Sequence, residues 1–455
     1  MLLTAATESF DLIVLGAGAG GSAPASKCRG AGWRVAVVDD QPYGGTCALR
    51  GCDPKKVLVG AADLVDWHRR MTGYGVAGEA DIDWPGLMRF KRSFTEPVPA
   101  ARVAVLAKAG IATYHGFARF AGENRLQIGG ALLEAEHFVI ATGARPRPLG
   151  IPGAEHVRTS TDFLELEQLP ARVAFIGAGY ISLEFAHVVQ RASAQAIVLG
   201  HGTPLAHFDH DLVDRLVRHT RSLGVDLRLD ADVRGVEHHS GGYRIHVATP
   251  GRAEEVEADL VVHGAGRVPD TERLGMPDAH IAADERGAVR VNEYLQSVSN
   301  PRVYAAGDAV LPAGKLPLTP VAGHEGQVVA ANLLHGNTAK PNYRGIPTVV
   351  FTIPPLASVG LTEAQARQQG LGVRVTSDET GSWYSSRRVR ESVGMFKTIV
   401  EEGTHRVLGA HLLGPQADEV INLFAIAVRH GLTAPALRHM IYAYPTHGSD
   451  VPYML

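Results

Sequence analysis

Cysteine is scarce in this sequence: only three occur in 455 residues, too few for the disulfide framework of a small secreted protein. No apolar run approaches the roughly 20 residues that a membrane helix needs, and the first residues lack the pattern of a signal peptide. The formal net charge of -3 gives no reason to expect nucleic acid or a membrane surface as a partner. We therefore expect a cytoplasmic globular protein of about two to four domains.

Glycine is abundant instead, with 51 residues concentrated at particular turns. The stretch FDLIVLGAGAGGSAPASKCRGAGWRVAVVDD predicts a β-α-β unit, with strands at Leu12–Leu15 and Val35–Val38 and a helix of small residues between them. The unit ends in Asp39, whose carboxylate can accept hydrogen bonds from a ribose diol. Three glycines fit the spacing G-x-G-x-x-G, which lets a backbone approach a pyrophosphate at a helix N-terminus: Gly16, Gly18 and Gly21.

The same pattern occurs a second time, in ARVAFIGAGYISLEFAHVVQRASAQAIVLG. Here Gly177, Gly179 and Ser182 occupy the three motif positions. Two dinucleotide-binding folds in one chain predict two dinucleotides, one of which passes electrons to the other. Between the two units, a strand at Phe138–Ala141 leads into a Gly turn and a Pro/Gly-rich connection, which predicts a crossover between domains. A third apolar segment, RVYAAGDAV, places Asp308 directly after Gly307 at the end of a strand.

Two of the three cysteines, Cys47 and Cys52, lie in the short stretch GGTCALRGCDPKK, and three kinds of site could use them. A zinc site is disfavoured, because neither cysteine has a second pair of Cys or His ligands at metal-binding spacing. A disulfide would require a deformed helix, because residues five apart in a regular helix have Cα atoms about 8.6 Å apart, beyond the roughly 7 Å limit. We favour a redox-active dithiol, with the helix N-terminus and the lysines at 55 and 56 lowering a thiol pKa. The third cysteine, Cys28, is predicted to be a core thiol.

These motifs together resemble the class I pyridine nucleotide–disulfide oxidoreductases, which include glutathione reductase, lipoamide dehydrogenase and mercuric reductase. The resemblance rests on GGTC and GC.P.K, GAGYISLE, YAAGD and LTPVAGHEGQVVAANL, in that order along essentially the whole chain. It implies an α/β fold with two Rossmann-like dinucleotide-binding domains and a C-terminal α+β dimerisation domain. The implied boundaries are FAD-binding domain 1–150, NAD(P)H-binding domain 151–270, central domain 271–340 and dimer-interface domain 341–455.

The resemblance also implies roles for individual residues. Cys52 would lie against the flavin as the charge-transfer thiolate and Cys47 would attack the substrate, while Lys56 would sit near the flavin and pair with Glu184. Tyr180 would cover the flavin until the nicotinamide displaces it. The implied cofactor-binding residues for FAD and NAD(P)H are Gly16, Gly18, Gly21, Asp39, Gly45, Thr46, Thr142, Gly143, Gly177, Gly179, Tyr180, Gly307 and Asp308, and no metal site is implied.

The C-terminus departs from the family pattern. Disulfide-specific members have His-Pro here and a Glu five residues after the His, both supplied by the partner subunit of a homodimer with a shared active site. This chain has Tyr444-Pro445 and Ser449, and His447 is the other candidate for acid–base work, in a helix that begins there. The Tyr444-Pro445 bond is expected to be cis, as the family's His-Pro bond is.

The sequence leaves the electron acceptor open. We favour a small disulfide, with a reductase of metal ions, quinones or oxygen using the same flavin–dithiol centre as the alternative. A non-catalytic flavoprotein subunit is disfavoured because both cysteines, Lys56 and Glu184 are retained. After the second motif no residue selects strongly between NADH and NADPH, although His201 or His207 could bind a 2'-phosphate, which favours NADPH slightly.

Overall fold

The computed structural model describes residues 7–312 and 314–455 of the chain. Within them the α-helices are α1 (Ala19–Gly30), α2 (Gly45–Arg50), α3 (Cys52–Met71), α4 (Trp84–Thr95), α5 (Val98–Lys108), α6 (Ser160–Phe163), α7 (Tyr180–Arg191), α8 (His210–Ser222), α9 (Thr319–His335), α10 (Glu363–Gln368), α11 (Tyr384–Arg387), α12 (Ala417–His430) and α13 (Ala434–Arg438). In the same part of the chain, no helix is both long enough and apolar enough to cross a bilayer.

The strands are also numbered in chain order. They are β1 (Glu8–Leu15), β2 (Val35–Asp39), β3 (Ala112–His115), β4 (Ala118–Phe120), β5 (Arg125–Ile128), β6 (Ala131–Ile140), β7 (Ala144–Pro146), β8 (Arg172–Ile176), β9 (Gln195–Leu199), β10 (Asp226–Arg228), β11 (Asp232–His239), β12 (Gly242–Thr249), β13 (Arg252–Ala258), β14 (Leu260–His263), β15 (Arg267–Pro269), β16 (Val303–Ala305), β17 (Thr348–Val350), β18 (Leu356–Gly360), β19 (Val373–Glu379), β20 (Met395–Glu401) and β21 (Val407–Leu413).

The chain divides into two compact units, and the first comprises Met1–Pro54, Arg92–Arg147 and Arg267–Tyr343. Its main sheet has the order β3-β2-β1-β6-β5-β4, and β16 pairs with β6. The strands β3, β2, β1, β6 and β16 are parallel, as in a dinucleotide-binding fold. Strand β1 is covered on both faces, because Leu12 and Val14 pack in one core cluster and Ile13 and Leu15 in another. This double burial explains its uninterrupted apolar run.

The second unit comprises Lys55–Lys91, Pro148–Gly266 and Arg344–Leu455. It contains a parallel sheet of order β10-β9-β8-β14, which is the second dinucleotide fold, and the antiparallel sheet β11-β12-β13. Its C-terminal part is built on the antiparallel sheet β17-β18-β21-β20-β19, against which α12 packs. The predicted fold class, two Rossmann-like folds and a C-terminal α+β region, is confirmed, whereas the four domain boundaries remain a prediction.

Candidate active site

The first glycine motif forms the turn between β1 and α1. Gly16 has φ +107°, and a Cβ atom there would lie 2.2 Å from the carbonyl oxygen of Ala141, so no side chain fits. Asp39 at the end of β2 accepts a hydrogen bond from Ala17 N at 2.8 Å, which fixes its carboxylate beside the turn. Burial raises the pKa of Asp39, and the backbone N–H groups of Ala17 and Gln41 oppose that rise. The turn and the acid thus have the arrangement that binds an adenosine ribose and a pyrophosphate.

Two further segments meet this turn inside the first unit. Gly45, at the start of α2, approaches Gly18 so closely that a Cβ atom on Gly45 would be 2.6 Å from the Gly18 Cα atom. Thr142 follows β6 with Gly143, and its buried Oγ1 atom has no hydrogen-bond partner among the described residues. A glycine-lined cradle with an orphaned hydroxyl fits the phosphates of a dinucleotide, so the residues present are suited to hold FAD.

The Gly307 turn after β16 is held by a buried ion pair. Gly307 N donates to Glu325 Oε2 at 2.7 Å, and Lys315 Nζ lies 2.9 Å from the same oxygen. Both side chains are almost fully buried, and Tyr343 donates to the other oxygen of Glu325 at 2.7 Å. This network fixes the backbone at Asp308, the predicted FAD contact, which is partly exposed.

The second glycine motif forms the turn between β8 and α7. Gly177 has φ +100°, and a Cβ atom there would lie 2.7 Å from the Gly264 carbonyl oxygen. Gly179 precedes α7, whose first residue is the half-exposed Tyr180. Ser182 Oγ is buried with no hydrogen-bond partner in the part of the chain that the structure describes. The second turn therefore has the same features as the first and fits a second dinucleotide.

The two site cysteines lie on either side of a helix break. Helix α2 ends at Arg50, Gly51 has φ -144° and ψ -110°, and α3 begins at Cys52. The predicted deformation of the helix between the cysteines is thus present, and neither cysteine is joined in a disulfide. Cys52 Sγ lies 3.4 Å from the Thr319 hydroxyl at the start of α9, and Cys47 Sγ donates to Asp53 Oδ1 at 3.8 Å.

The electrostatics of Cys47 differ from the prediction. The hydrogen bond with Cys52 and burial raise the pKa of Cys47, the Asp53 charge adds to the rise, and Thr319 opposes it. The expectation of a lowered thiol pKa is therefore wrong for Cys47, because an adjacent thiol and a carboxylate disfavour the thiolate there. Cys28 is fully buried, as predicted, and burial raises its pKa to about 11.

In the second unit, Glu184 is paired with Lys55 and not with Lys56. Lys55 Nζ lies 2.6 Å from Glu184 Oε2, and both side chains are largely buried. Lys56 Nζ instead lies 3.3 Å from Asp418 and 3.8 Å from the centre of the Phe351 ring. The predicted Lys56–Glu184 pair is wrong because adjacent residues of α3 point about 100° apart, so only one of them can face α7.

Helix α7 binds the segment 351–354 through one side chain in each turn. Glu184 accepts from Phe351 N at 2.8 Å, and His187 Nδ1 accepts from Ile353 N at 3.0 Å. Arg191 donates to Ile353 O at 3.1 Å and pairs with Asp66 at 2.9 Å. These contacts fix the segment 351–354 against the helix that starts at the second glycine motif.

The C-terminal candidates have different surroundings. Tyr444 is 83% exposed, and the predicted cis bond to Pro445 is present. His447 begins the 3₁₀ helix His447–Met454 and lines a cavity of ≈ 30 Å³ together with Asp450. Burial lowers the pKa of His447, and the nearby Arg388 charge adds to this effect. His447 is therefore turned into its own domain, while Tyr444 is presented to the outside.

Sequence reasoning missed two contacts of the thiols, those of Asp53 and Thr319. Asp53 stands beside Cys52 in the quoted stretch, and a charged residue next to a redox thiol was a usable signal. Thr319 is the threonine of LTPVA, but its approach to Cys52 depends on contacts across most of the first unit. No group of three or more His, Cys, Asp or Glu side chains within 7–312 and 314–455 is arranged to hold a metal ion.

Comparison with known proteins bears directly on this site. Residues 10–326 match the family described as "Pyridine nucleotide-disulphide oxidoreductase", and residues 346–454 match its dimerisation domain. The chain is 34% identical to a glutathione reductase of Burkholderia cepacia over 96% of each chain, and 30% identical to a dihydrolipoyl dehydrogenase of Chlamydia muridarum over 96% of this chain and 94% of that one.

Among solved structures, the copper(II) complex of the HOCl-induced flavoprotein disulfide reductase RclA from Escherichia coli aligns with a TM-score of 0.88. The alignment covers 98% of this chain and 99% of that one, at 28% identity. The family match spans the glycine motifs and both site cysteines, and the structural match covers nearly all of the fold. The chain therefore belongs to the class I pyridine nucleotide–disulfide oxidoreductase family, whose members are FAD-dependent enzymes.

Proposed function

We propose that this enzyme passes electrons from NAD(P)H through FAD and the Cys47–Cys52 dithiol to a small disulfide-type acceptor. The observation that carries the proposal is the position of the thiols, at the break between α2 and α3. Helix α2 starts at Gly45, which packs on Gly18 of the first nucleotide turn. FAD, when bound, supplies the two-electron relay between the nicotinamide and the thiols.

The residues of the chain hold and orient the reacting groups. Cys52, in contact with Thr319, is proposed as the thiolate against the flavin, and Cys47 as the thiol that attacks the acceptor. The lysine proposed beside the flavin is Lys55, because Glu184 holds Lys55 and not Lys56. Tyr180, half exposed at the start of α7, is proposed to cover the flavin until the nicotinamide enters.

For the nicotinamide cofactor we favour NADPH. The loop after β9 has exposed histidines at His201 and His207, which could bind a 2'-phosphate when protonated, and it has no acid in the position that binds a free 2'-hydroxyl. The relatives include a glutathione reductase and a dihydrolipoyl dehydrogenase, so they do not decide between the two nucleotides.

We further propose a cytoplasmic homodimer with a shared active site. The C-terminal region matches a dimerisation domain and presents large apolar side chains at its surface. These side chains would be buried by a second copy of the chain. The most exposed of them are Tyr384, Ile426, Met440, Ile441, Tyr444 and Tyr453.

The acceptor is proposed to differ from glutathione disulfide and lipoamide. Tyr444 occupies the position of the family's histidine, and a tyrosine with an ordinary pKa of about 10 donates a proton but is a poor base at neutral pH. We therefore expect low turnover with those two disulfides.

A metal-ion reductase that uses the same dithiol is the second candidate. The sulfurs of a dithiol are suitable ligands for a soft or borderline cation as substrate. The solved relative with TM-score 0.88 is a copper(II) complex, which favours this candidate over quinones or oxygen.

The decisive experiment is anaerobic titration of the purified flavoprotein with NADPH. Two-electron reduction is expected to produce a long-wavelength absorbance band from the Cys52 thiolate beside the flavin. Cys52→Ala should abolish this band and Cys47→Ala should make it permanent, whereas the control Cys28→Ala, which removes the buried core thiol, should behave as wild type. The dithiol proposal fails when both site variants keep wild-type spectra. Oxidation of the reduced enzyme by disulfides or by Cu²⁺ then distinguishes the two acceptors.

A further inference from the structure

Asp53 places a carboxylate in contact with one of the redox thiols. Its Oδ1 atom lies 3.8 Å from Cys47 Sγ, within hydrogen-bond range for sulfur. Asp53 is exposed and follows Cys52 in the first turn of α3, so its side chain is accessible to solvent beside Cys47.

Attack by Cys47 on a disulfide requires two proton transfers. Cys47 must lose its proton as its sulfur bonds to the acceptor, and the departing thiolate must gain one. The family's histidine normally serves both steps, and this chain has Tyr444 in its place. His447 lies against the cavity in its own domain. The catalytic residues predicted from the sequence therefore lack a group that accepts the proton of the Cys47 thiol.

We propose that Asp53 is a catalytic residue that accepts the proton of Cys47 as the new S–S bond forms and delivers it to the departing thiolate. This inference rests on the proposed dithiol function. In the step, the Cys47–S–S–R bond forms, the acceptor's S–S bond breaks, and one proton passes from Cys47 through Asp53 to yield R–SH. The Cys52 thiolate then attacks Cys47 Sγ, which breaks the mixed disulfide, restores the Cys47–Cys52 disulfide and releases R–S⁻, which takes its proton from solvent.

The energetics suit this route. The S–H group becomes strongly acidic as its sulfur forms the new bond, so a carboxylate can take the proton at that moment. Transfer from a carboxylic acid, ordinary pKa about 3.9, to a departing thiolate, ordinary pKa about 8.5, is then favourable. Cys52, burial and the Asp53 charge raise the pKa of Cys47, and the hydrogen bond with Thr319 opposes the rise. Cys47 Sγ donates to Asp53 Oδ1, so the S–H group already faces the carboxylate that would accept its proton.

A structural role for Asp53 predicts something different. A first-turn acid stabilises a helix by about 0.3–1 kcal/mol through the helix dipole, and losing it would lower stability without changing a pH profile. Glu419 offers a matched control, because it is also an exposed first-turn acid, in α12.

The test uses the FAD-loaded enzyme, reduced anaerobically with one equivalent of NADPH. Oxidation by 2-hydroxyethyl disulfide, whose thiolate needs a proton, is compared with oxidation by 5,5'-dithiobis(2-nitrobenzoate), whose aromatic thiolate leaves without one. Rates are measured from pH 5 to pH 10 in wild type and in Asp53→Asn, Asp53→Glu and Glu419→Gln. Alkylation of Cys47 by iodoacetamide over the same pH range reports its thiolate fraction.

In the wild type, the rate of oxidation by 2-hydroxyethyl disulfide is expected to change little with pH near neutrality. Asp53→Asn should be slower there by about 10²-fold, with a rate that rises tenfold per pH unit until the thiol ionises. The same variant should lose less with the aromatic disulfide, because Asp53 must still accept the Cys47 proton there but need not protonate the departing thiolate. Its alkylation profile should shift to lower pH because a negative charge is gone. Asp53→Glu should restore part of the weak dependence of the rate on pH, and Glu419→Gln should have the same pH dependence of the rate as the wild type.

The inference is overturned by an Asp53→Asn profile that parallels wild type with 2-hydroxyethyl disulfide, or by equal losses with both disulfides. The proposed function is tested separately by flavin reduction and the long-wavelength band, which Asp53→Asn should keep. Loss of that band in wild type would overturn the dithiol function itself.

Discussion

The pairing of Glu184 with Lys55 gives a sharp prediction, because the two adjacent lysines of α3 serve as each other's control. Lys55 Nζ lies 2.6 Å from Glu184 Oε2, and the two side chains are 13% and 0% exposed. Replacing Lys55 by Met therefore leaves a buried carboxylate without its cation. Breaking a buried pair from one side costs about 3–5 kcal/mol. Lys56→Met removes an ion pair with Asp418 in which the two side chains are 49% and 20% exposed, and such a pair contributes about 0–1 kcal/mol. It also removes a cation–π contact with Phe351, which contributes about 0.5–1 kcal/mol.

The assay is urea unfolding followed by circular dichroism, with FAD in excess so that cofactor loss does not differ between variants. Lys55→Met is expected to lower the free energy of unfolding at least twice as much as Lys56→Met. The double variant Lys55→Met/Glu184→Gln should recover most of the loss, because glutamine removes the unpaired charge and still accepts from Phe351 N. A larger effect of Lys56→Met, or no recovery in the double variant, would refute the assignment of the buried pair.

Two further predictions concern the C-terminus and the buried histidine of α7. Tyr444→Phe should slow turnover with the preferred acceptor while leaving flavin reduction by NADPH unchanged, and stopped-flow traces of the two half-reactions check this. Turnover of glutathione disulfide or lipoamide by the wild type at rates typical of the family would contradict the interpretation of Tyr444. Burial, with the Arg191 and His219 charges, holds the pKa of His187 well below its ordinary value. Below about pH 6.5 the unfolded chain therefore binds more protons at this histidine than the folded chain does. The free energy of unfolding consequently falls as the pH falls. In His187→Gln this pH dependence should be shallower than in wild type, as measured by urea unfolding between pH 4.5 and 7.5, and an unchanged slope would contradict it.

The glycine turns were predictable because their constraint is local. Gly16 and Gly177 have no room for a side chain and have positive φ angles, so the residues themselves indicate the turn. The strands that flank them were predictable for a related reason, since a strand buried on both faces gives a continuous apolar run.

The partner of Glu184 could not be predicted in the same way. Choosing between Lys55 and Lys56 requires the rotational phase of α3 relative to α7, which a difference of one residue reverses. The contact of Cys52 with Thr319 joins residues 267 positions apart, and the raised pKa of Cys47 depends on the groups that this folding assembles. Long-range packing sets these properties, and no short motif encodes it.

The hydrogen bonds from α7 to the segment 351–354 limit how this protein can be recombined with its relatives. Glu184, His187 and Arg191 belong to the second nucleotide fold, yet their partners are backbone atoms of Phe351 and Ile353. A chimera that imports another family member's nicotinamide-binding module would leave those backbone groups buried without partners unless it imports the matching segment too. Cofactor specificity is therefore better changed by substitutions in the loop after β9 than by exchange of the whole module.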